Sequence, residues 1–248
     1  IIKECFVVIL SNLKFNNLEL KFVGYGNERI NLGSNLGNEF LVIVRNLDKR
    51  YDKIKFIVNY FDEQRFGKDN VQIGKDLLLG KFKEICELLS LDTKNPIESL
   101  NRYNKKELRF CLHSYQSLIF NKAVSEYLKK KYKSYKKVKY KHGGFVFVNK
   151  KENLRFPLIS FDTKFSKKEN IYLKILKEEK ITLDKFLIKK LPWLIEENSY
   201  RDIFIDVKNF KTIEYVKDEL NSGKYKQVVS FSLPKGSYAT IVIKNIFE

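Results

Sequence analysis

The sequence predicts an α+β fold in which strand-rich ends flank a helix-rich middle. Short runs of Val, Ile, Phe and Leu, separated by turn-forming residues, occupy about the first 60 residues and return after residue 227. Between them, apolar residues recur at helical spacing, most clearly from Lys105 to Lys133. This order favours one domain split by an insertion over two domains in series.

Short apolar runs predict the strands. In chain order they are Phe6–Leu10, Leu18–Val23, Phe40–Val44, Ile54–Tyr60, Val228–Leu233 and Ala239–Ile246. The Ile54–Tyr60 run alternates apolar side chains at every second position, which is typical of a strand with one buried face. Helical spacing is found over residues 73–89, Lys105–Lys133 and Asn170–Leu191. Ala239–Ile246 is taken as a strand because it is rich in β-branched residues.

The charge balance points to a polyanionic partner. The 48 Lys and Arg residues exceed the 30 Asp and Glu residues, for a formal charge of +18. Such an excess favours nucleic acid, and a membrane surface less so. No apolar run approaches the roughly 20 residues of a membrane helix. The three cysteines are widely spaced, which argues against a disulfide framework or a zinc site. We therefore expect a soluble, cytoplasmic protein that binds no metal.

Few residues could support metal, nucleotide or triad chemistry. The chain has two histidines, of which His113 lies within the strongest predicted helix and His142 precedes a Gly-Gly turn. Neither a phosphate-binding loop of the GxxxxGK[ST] type nor a complete dinucleotide-binding glycine motif is present. No cofactor is predicted.

A lysine-rich run is a candidate RNA-backbone site. The lysines of interest are Lys129, Lys130, Lys131, Lys133, Lys136 and Lys137. Interleaved with them are Tyr132, Tyr135 and Tyr140, so the run combines phosphate neutralisation with flat stacking faces. The alternative is a solvated helix end and loop in a lysine-rich protein, and the run by itself does not decide between the two.

The segment Asn59–Gly67, with the sequence NYFDEQRFG, is a candidate site for a planar ligand. It follows a predicted strand, ends in glycine and holds one of only eight arginines. Phe61 offers a stacking face, Asn59 and Gln64 offer amides, and Arg65 could bind a phosphate or a carboxylate. The alternative is a strand end and turn whose aromatic side chains only pack in the core. The same residues would be found in such a segment.

Four motifs in the same order resemble those of the TruD family of tRNA pseudouridine synthases. In chain order they are Gly33–Arg45 (GSNLGNEFLVIVR), Asn59–Gly67 (NYFDEQRFG), Leu108–Asn121 (LRFCLHSYQSLIFN) and Leu233–Thr240 (LPKGSYAT). Together they span most of the chain, which makes the resemblance specific, whereas any one of them alone would be weak.

The resemblance implies a fold and a reaction. The fold is a pseudouridine-synthase catalytic domain with a mixed or antiparallel sheet (residues 1–86 and 207–248), interrupted by a TRUD insertion domain (residues 87–206). The reaction is the isomerisation of uridine to pseudouridine in tRNA, at position 13 of the D-arm by family analogy, without metal or organic cofactor. The target base must first leave its stack.

The family pattern also implies roles for single residues. Phe61 is the aromatic that packs on the flipped uracil, Asn59 shapes the loop behind it, and Tyr238 takes the second aromatic position. Gln64 and Arg65 receive a supporting role in the pocket. For Ser114, Gln116 and Asn121, which are polar residues of an otherwise apolar helix, we expect buried hydrogen bonds. The oligomeric state is not predicted.

The nucleophilic aspartate of the family is not among the 248 residues. It lies in a motif that would precede Ile1, and the chain contains no methionine. We expect the sequence to be part of a longer protein that carries this aspartate. One alternative is an inactive, RNA-binding relative such as an RNA chaperone, and another is a substitute acid, for which Asp62 is the nearest candidate. A scaffold protein would leave the Phe61 segment without a purpose.

Replacing Lys129, Lys130 and Lys131 with Ala should make tRNA binding less sensitive to salt. Each lost phosphate contact should reduce the slope of log affinity against log salt concentration by about 0.7–0.9. Binding titrations at several salt concentrations measure the slope. An unchanged slope would indicate that the lysine-rich run is a solvated surface that does not contact RNA.

Overall fold

The computed structural model describes two short strands, residue 31 and the whole chain after residue 32. The described residues are Leu13–Phe15, Leu18–Leu20, residue 31 and residues 33–248. The chain divides into two compact units, Ile1–Asn35 and Leu36–Glu248. In the first unit, β1 (Leu13–Phe15) pairs antiparallel with β2 (Leu18–Leu20). The predicted strand Phe6–Leu10 lies outside the described residues, and Leu18–Val23 is described over its first three.

The strands of the second unit pair antiparallel throughout. They are β3 (Gly37–Leu47), β4 (Phe56–Val58), β5 (Lys136–Tyr140), β6 (Gly143–Phe147), β7 (Arg155–Leu158), β8 (Ser199–Asp202), β9 (Phe204–Asp206), β10 (Lys208–Lys217) and β11 (Tyr225–Pro234). The strands β10, β11 and β3 form a three-stranded sheet in that order, and β4–β9, β5–β6 and β7–β8 form pairs. The predicted strands Phe40–Val44 and Val228–Leu233 are confirmed, since they lie within β3 and β11, whereas the predicted strand Ile54–Tyr60 forms only over Phe56–Val58.

The helices of the second unit lie mostly in the middle of the chain. They are α1 (Glu63–Phe66), α2 (Asn70–Leu79), α3 (Phe82–Leu88), α4 (Pro96–Arg102), α5 (Lys105–Lys131), α6 (Ile171–Glu179) and α7 (Ala239–Phe247). Two short 3-10 turns lie between α6 and β8, at Leu183–Phe186 and Pro192–Leu194. Helices and antiparallel strands therefore share the unit, and the predicted α+β class is confirmed.

The long helix α5 is the centre of the second unit. The side chain of Asn104 caps its first turn by accepting hydrogen bonds from Lys106 N (3.1 Å) and Glu107 N (3.4 Å). Buried residues lie around much of its circumference, so α5 is a core helix with neighbours on several sides. One of them, α2, comes very close: a Cβ on Gly74 would lie 2.2 Å from Cys111 O. Only glycine fits at that crossing.

The C-terminal segment corrects one prediction. The β-branched composition of Ala239–Ile246 predicts a strand, but the segment forms the helix α7. Its apolar residues Ala239, Val242, Ile243 and Ile246 follow the i, i+3, i+4, i+7 spacing of one helical face, and they are buried or half-buried against the core. Tertiary packing of that face overrides the β propensity of the individual residues.

The predicted domain boundaries stay a prediction. Residues from both segments, 36–86 with 207–248 and 87–206, contribute to a single apolar cluster. Phe61, Phe120 and Phe231, for example, belong to it. Among the helices of the described residues, none is long and apolar enough to cross a membrane.

A half-buried carboxylate, that of Glu179, joins α6 to α5 and α2. Glu179 accepts hydrogen bonds from Lys75 Nζ (2.6 Å), Tyr115 Oη (3.1 Å) and Lys122 Nζ. Burial alone would raise the pKa of the Glu179 carboxyl, but the hydrogen bonds from Lys122 and Lys75 outweigh it and lower the pKa to about 2.

Replacing Glu179 with Gln should destabilise the protein by about 1–3 kcal/mol at pH 7, because charge-assisted hydrogen bonds to two lysines are lost. A carboxyl whose pKa is lowered by folding stabilises the folded state above its unfolded pKa. The difference from the natural protein should therefore shrink as the pH falls from about 4.5 to 2. Urea unfolding across this pH range measures it.

The matched control is Glu178→Gln. Glu178 is exposed and pairs with Lys174 at 3.7 Å within one helix, so its loss should change stability by less than about 1 kcal/mol. A Glu179→Gln effect that is equally small, or independent of pH, would contradict the assignment.

Candidate active site

The segment Asn59–Gly67 leaves β4 and runs into the core. Asn59 continues the pairing of β4 for one residue, since its N–H donates to Ile203 O (2.7 Å) and its side-chain amide donates to Asp202 O (3.0 Å). Tyr60 is fully buried, and Asn59 and Phe61 are nearly so. The predicted planar-ligand segment is thus an ordered part of the core and not a surface turn.

Asp62 has a structural position. Its Oδ1 accepts from Glu63 N (2.8 Å), which caps α1, and from Lys244 Nζ (2.6 Å) on α7. The two charged side chains are 4% and 16% exposed. A carboxylate held in this way at a helix N-terminus by a buried lysine is committed to the fold, which argues against Asp62 as a substitute nucleophile.

The carboxamide of Asn121 holds the backbone of Phe61 at both polar groups. Phe61 N donates to Asn121 Oδ1 (3.0 Å), and Asn121 Nδ2 donates to Phe61 O (2.8 Å). Nearby, Ser114 Oγ donates to Arg65 O (2.8 Å) and Gln116 Nε2 donates to Ile159 O (2.8 Å). The buried hydrogen bonds predicted for these three polar residues of α5 are confirmed.

The ring of Phe61 lies among aromatic and cationic groups. Phe120 and Tyr238 meet it edge to face, with ring centres 5.7 and 6.1 Å away. The guanidinium carbon of Arg201 lies 4.0 Å from the ring centre, which places the cation over one face of the ring. A base that stacks on Phe61 must therefore use the opposite face or displace Arg201.

Arg201, at the end of β8, is a site residue that the sequence patterns do not reveal. Its Nε donates to Asn59 O (3.0 Å), and its Nη2 donates to Asn59 Oδ1 (2.6 Å) and Gly236 O (2.9 Å). It thereby joins the Asn59–Gly67 segment to the turn before Tyr238, two of the four family-like motifs. The available signal is the scarcity of arginine in a lysine-rich chain, but nothing adjacent to Arg201 in sequence links it to either motif.

Arg65 approaches the same ring from α1. Its guanidinium carbon lies 5.7 Å from the Phe61 ring centre and 4.6 Å from that of Phe110, and its Nε donates to Ser117 Oγ at a long 3.4 Å. Burial lowers the pKa of Arg65, although the nearby Tyr238 phenol raises it. Burial is likewise the main reason why the pKa of Arg201 is lowered to about 10; the Tyr238 phenol opposes this shift and the charge of Arg65 adds to it. Two cations and a phenol thus converge at Phe61.

Four of the five predicted substrate-binding residues come together. Arg65 and Tyr238 contact the Phe61 ring, and Asn59 is joined to it through Arg201. Gln64 lies on the exposed side of α1. The described residues contain no group of three His, Cys, Asp or Glu side chains that could hold a metal ion.

An open groove lies beside these residues. Its volume is about 800 Å³, and its walls come from β3, β9, the end of β8 and the end of β11. Asp202, next to Arg201, and Leu233–Pro234, just before the turn that Arg201 holds, both line it. A polymer that entered the groove would therefore pass next to the Arg201 segment.

The lysine run is less uniform than its sequence indicates. Lys129 pairs with Glu126 and Lys131 with Glu152, while Lys136 Nζ donates to the carbonyl of Asn245 at 2.7 Å. Lys130, Lys133 and Lys137 are exposed. Two of the three tyrosines are engaged, since Tyr132 bonds to Glu152 and Tyr140 stacks on Phe145 at 4.0 Å. Tyr135 is left with an exposed ring, so stacking capacity is smaller than expected.

The chain is similar to known proteins in sequence and in fold. The sequence profile of the family described as tRNA pseudouridine synthase D (TruD) matches residues 2–97 and 145–246. The chain belongs to the TruD family. The match includes the Phe61 segment, Arg201 and Tyr238, and it leaves out residues 98–144, which contain α5 and the lysine run.

Individual relatives of the TruD family extend over most of the chain. The chain is 28% identical to a protein of Methanococcus maripaludis named "Probable tRNA pseudouridine synthase D 1" and 30% identical to one of Methanocaldococcus jannaschii named "Probable tRNA pseudouridine synthase D 2". It is 25% identical to the tRNA pseudouridine synthase D of Aquifex aeolicus. The alignments cover 96, 93 and 96% of this chain and 79, 71 and 76% of those proteins. A crystal structure of a TruD-assigned protein from Methanosarcina mazei superposes with a TM-score of 0.69 over 95% of this chain and 74% of its own, at 21% identity. This likeness supports the fold.

Replacing Asn121 with Ala should destabilise the protein by about 2–4 kcal/mol, because two buried backbone groups of Phe61 lose their partners. Asn101→Ala is the control, since Asn101 accepts a hydrogen bond from Trp193 at an exposed site and its loss should cost less than about 1 kcal/mol. Chemical unfolding measures both losses of stability. If Asn121→Ala and Asn101→Ala destabilise the protein equally, the two Asn121 hydrogen bonds do not hold Phe61 in place.

Proposed function

We propose that this protein is a tRNA pseudouridine synthase, which isomerises uridine to pseudouridine in tRNA. The observation that carries the proposal is the Phe61 site, in which Asn121 holds both backbone groups of Phe61 and the ring contacts Arg201 and Tyr238. Phe61, Arg201 and Tyr238 all lie in the residues that match the family profile. The excess of positive charge on the chain supports a polyanionic substrate.

The chemistry makes modest demands on the protein. The glycosidic bond between N1 and C1′ breaks, the uracil rotates, and a bond forms between C5 and C1′ while the proton on C5 leaves and N1 gains one. No atom is gained or lost overall, so no co-reactant is required. The enzyme must instead hold a detached, planar uracil and supply a carboxylate nucleophile.

Phe61 would hold the uracil through its ring face, since an aromatic platform stabilises a base that has left its stack. Tyr238, next to the Phe61 ring, would limit how far the base can extend. Arg201 would hold Asn59 in place behind Phe61. The nucleophile is the aspartate expected in the family motif before Ile1. Asp62 does not fit this role, because its carboxylate is occupied by Lys244 and by the N-terminus of α1.

Finer assignments follow by family analogy. We place the target uridine at position 13 of the tRNA D-arm, the reaction in the cytoplasm, and the insertion domain at residues 87–206. The exposed lysines Lys130, Lys133 and Lys137 belong to that insertion and would contact the RNA backbone.

Replacing Phe61 with Leu should lower kcat/KM for pseudouridine formation in tRNA by about 5- to 150-fold, since stacking on an aromatic ring contributes about 1–3 kcal/mol per base. Leu preserves most of the buried volume, so folding should survive. Mapping pseudouridine in tRNA transcripts treated with the natural protein measures the rate.

The control is Phe210→Leu, because Phe210 is a half-buried ring of β10 that packs on Phe231. It should leave kcat/KM within about twofold. Equal rates for Phe61→Leu and the natural protein would overturn the Phe61 assignment. Tight tRNA binding with no pseudouridine from the natural protein would instead favour the RNA-binding relative.

A further inference from the structure

The arginines of residues 33–248 fall into two groups. Five form an ion pair with a carboxylate: Arg45 with Asp218 and Glu219, Arg50 with Asp52, Arg102 with Glu98, Arg109 with Glu196 and Arg155 with Asp202. Arg65 and Arg201 form no such pair within this part of the chain, although burial is the largest influence on the pKa of each and lowers it overall. This is the reverse of the usual arrangement, in which a charge that leaves water gains a counter-charge.

The two unpaired cations converge on one place. Both guanidinium carbons lie within 6 Å of the Phe61 ring centre, at 4.0 Å for Arg201 and 5.7 Å for Arg65. Tyr238 adds its phenol to the same cluster and is coupled electrostatically to both cations. Because like charges repel, the arrangement is stabilised when an anion binds between or beside them.

The hydrogen-bonding groups of the pair are only partly used. Arg201 donates through Nε and Nη2 to Asn59 and Gly236, and these bonds fix its orientation. Arg65 donates one long bond, from Nε to Ser117. The Nη groups of Arg65 and Nη1 of Arg201 make no hydrogen bond with the described residues. A planar fork of this kind matches the oxygens of a phosphate.

We propose that Arg65 and Arg201 form a binding site for an RNA phosphodiester next to the target uridine. This inference rests on the proposed function, which places a flipped nucleotide at Phe61. A nucleotide that swings out of its stack carries its own flanking phosphates with it, so at least one phosphate must lie close to a base on Phe61. Arg65 binds that phosphate, while Arg201 mainly orients Asn59 and adds charge. The contact fixes the register of the RNA and carries no sequence information.

Phosphate ethylation interference tests the proposal at every position of the tRNA in a single experiment. Transcribed tRNA is ethylated sparsely at its phosphates, bound to the natural full-length protein, and the bound fraction is mapped. Ethylation removes the phosphate charge, so modified positions that the protein needs are depleted from the bound fraction. Pseudouridine formed in untreated tRNA is mapped in parallel.

We expect a depleted phosphate within one nucleotide of the pseudouridine. In the Arg65→Gln variant this depletion should disappear, while the other depleted positions remain. The affinity for tRNA should fall about 10-fold. The slope of log affinity against log salt concentration should be lower by about 0.7–0.9. Arg65→Lys, which keeps the charge, should restore the slope in part. Arg155→Gln removes the same charge from an exposed pair with Asp202 and should leave the pattern unchanged.

The outcomes separate this inference from the proposed function. An identical pattern for Arg65→Gln and the natural protein would overturn the phosphate site, even if pseudouridine forms; it would point to a carboxylate of the protein as the partner of Arg65. An Arg65-dependent phosphate in a protein that forms no pseudouridine would reject the proposed function and retain the phosphate site. A lost phosphate far from the pseudouridine would also overturn the inference.

Discussion

The two hydrogen bonds between Asn121 and the backbone of Phe61 are the constraint on which the candidate site depends. They tie the segment after β4 to α5, which has more buried residues than any other described helix, and so fix the ring of Phe61 against Phe120. Phe61 cannot pair in a sheet at this point, so its N–H and C=O would otherwise be buried without partners. Arg201 completes the arrangement from the other side by holding Asn59 and the turn at Gly236.

Much of this arrangement can be predicted from the sequence. The strand before Asn59, the long helix at residues 105–131 and the buried polar residues Ser114, Gln116 and Asn121 all follow from periodicity and from the family-like motifs. Each of these features depends on residues that are close together in the sequence, or it belongs to one of the four family-like motifs, which occur here in the family's order. The ring of Phe61, with Arg65 and Tyr238 beside it, is the part of the site that such patterns specify.

The remainder depends on contacts between distant parts of the chain. Arg201 lies more than 130 residues after Phe61, and no spacing rule connects a lone arginine to a ring so far away. The segment Ala239–Ile246 is predicted to be a strand, whereas its packing against the core makes Ala239–Phe247 a helix. The sequence suggests that the tyrosines of the lysine run offer stacking faces to RNA. In the structure, however, Tyr132 hydrogen-bonds to Glu152 and Tyr140 stacks on Phe145.

The most direct test of the central claim is an experimental structure of the natural protein bound to tRNA. The account predicts that the target uracil lies parallel to the Phe61 ring at about 3.5 Å, a van der Waals stacking distance, with a neighbouring phosphate bound by Arg65. It also predicts that the Asn121 bonds to Phe61 persist. A target base bound elsewhere, for example deep in the groove between β9 and β11, with Phe61 still covered by Arg201, would contradict it.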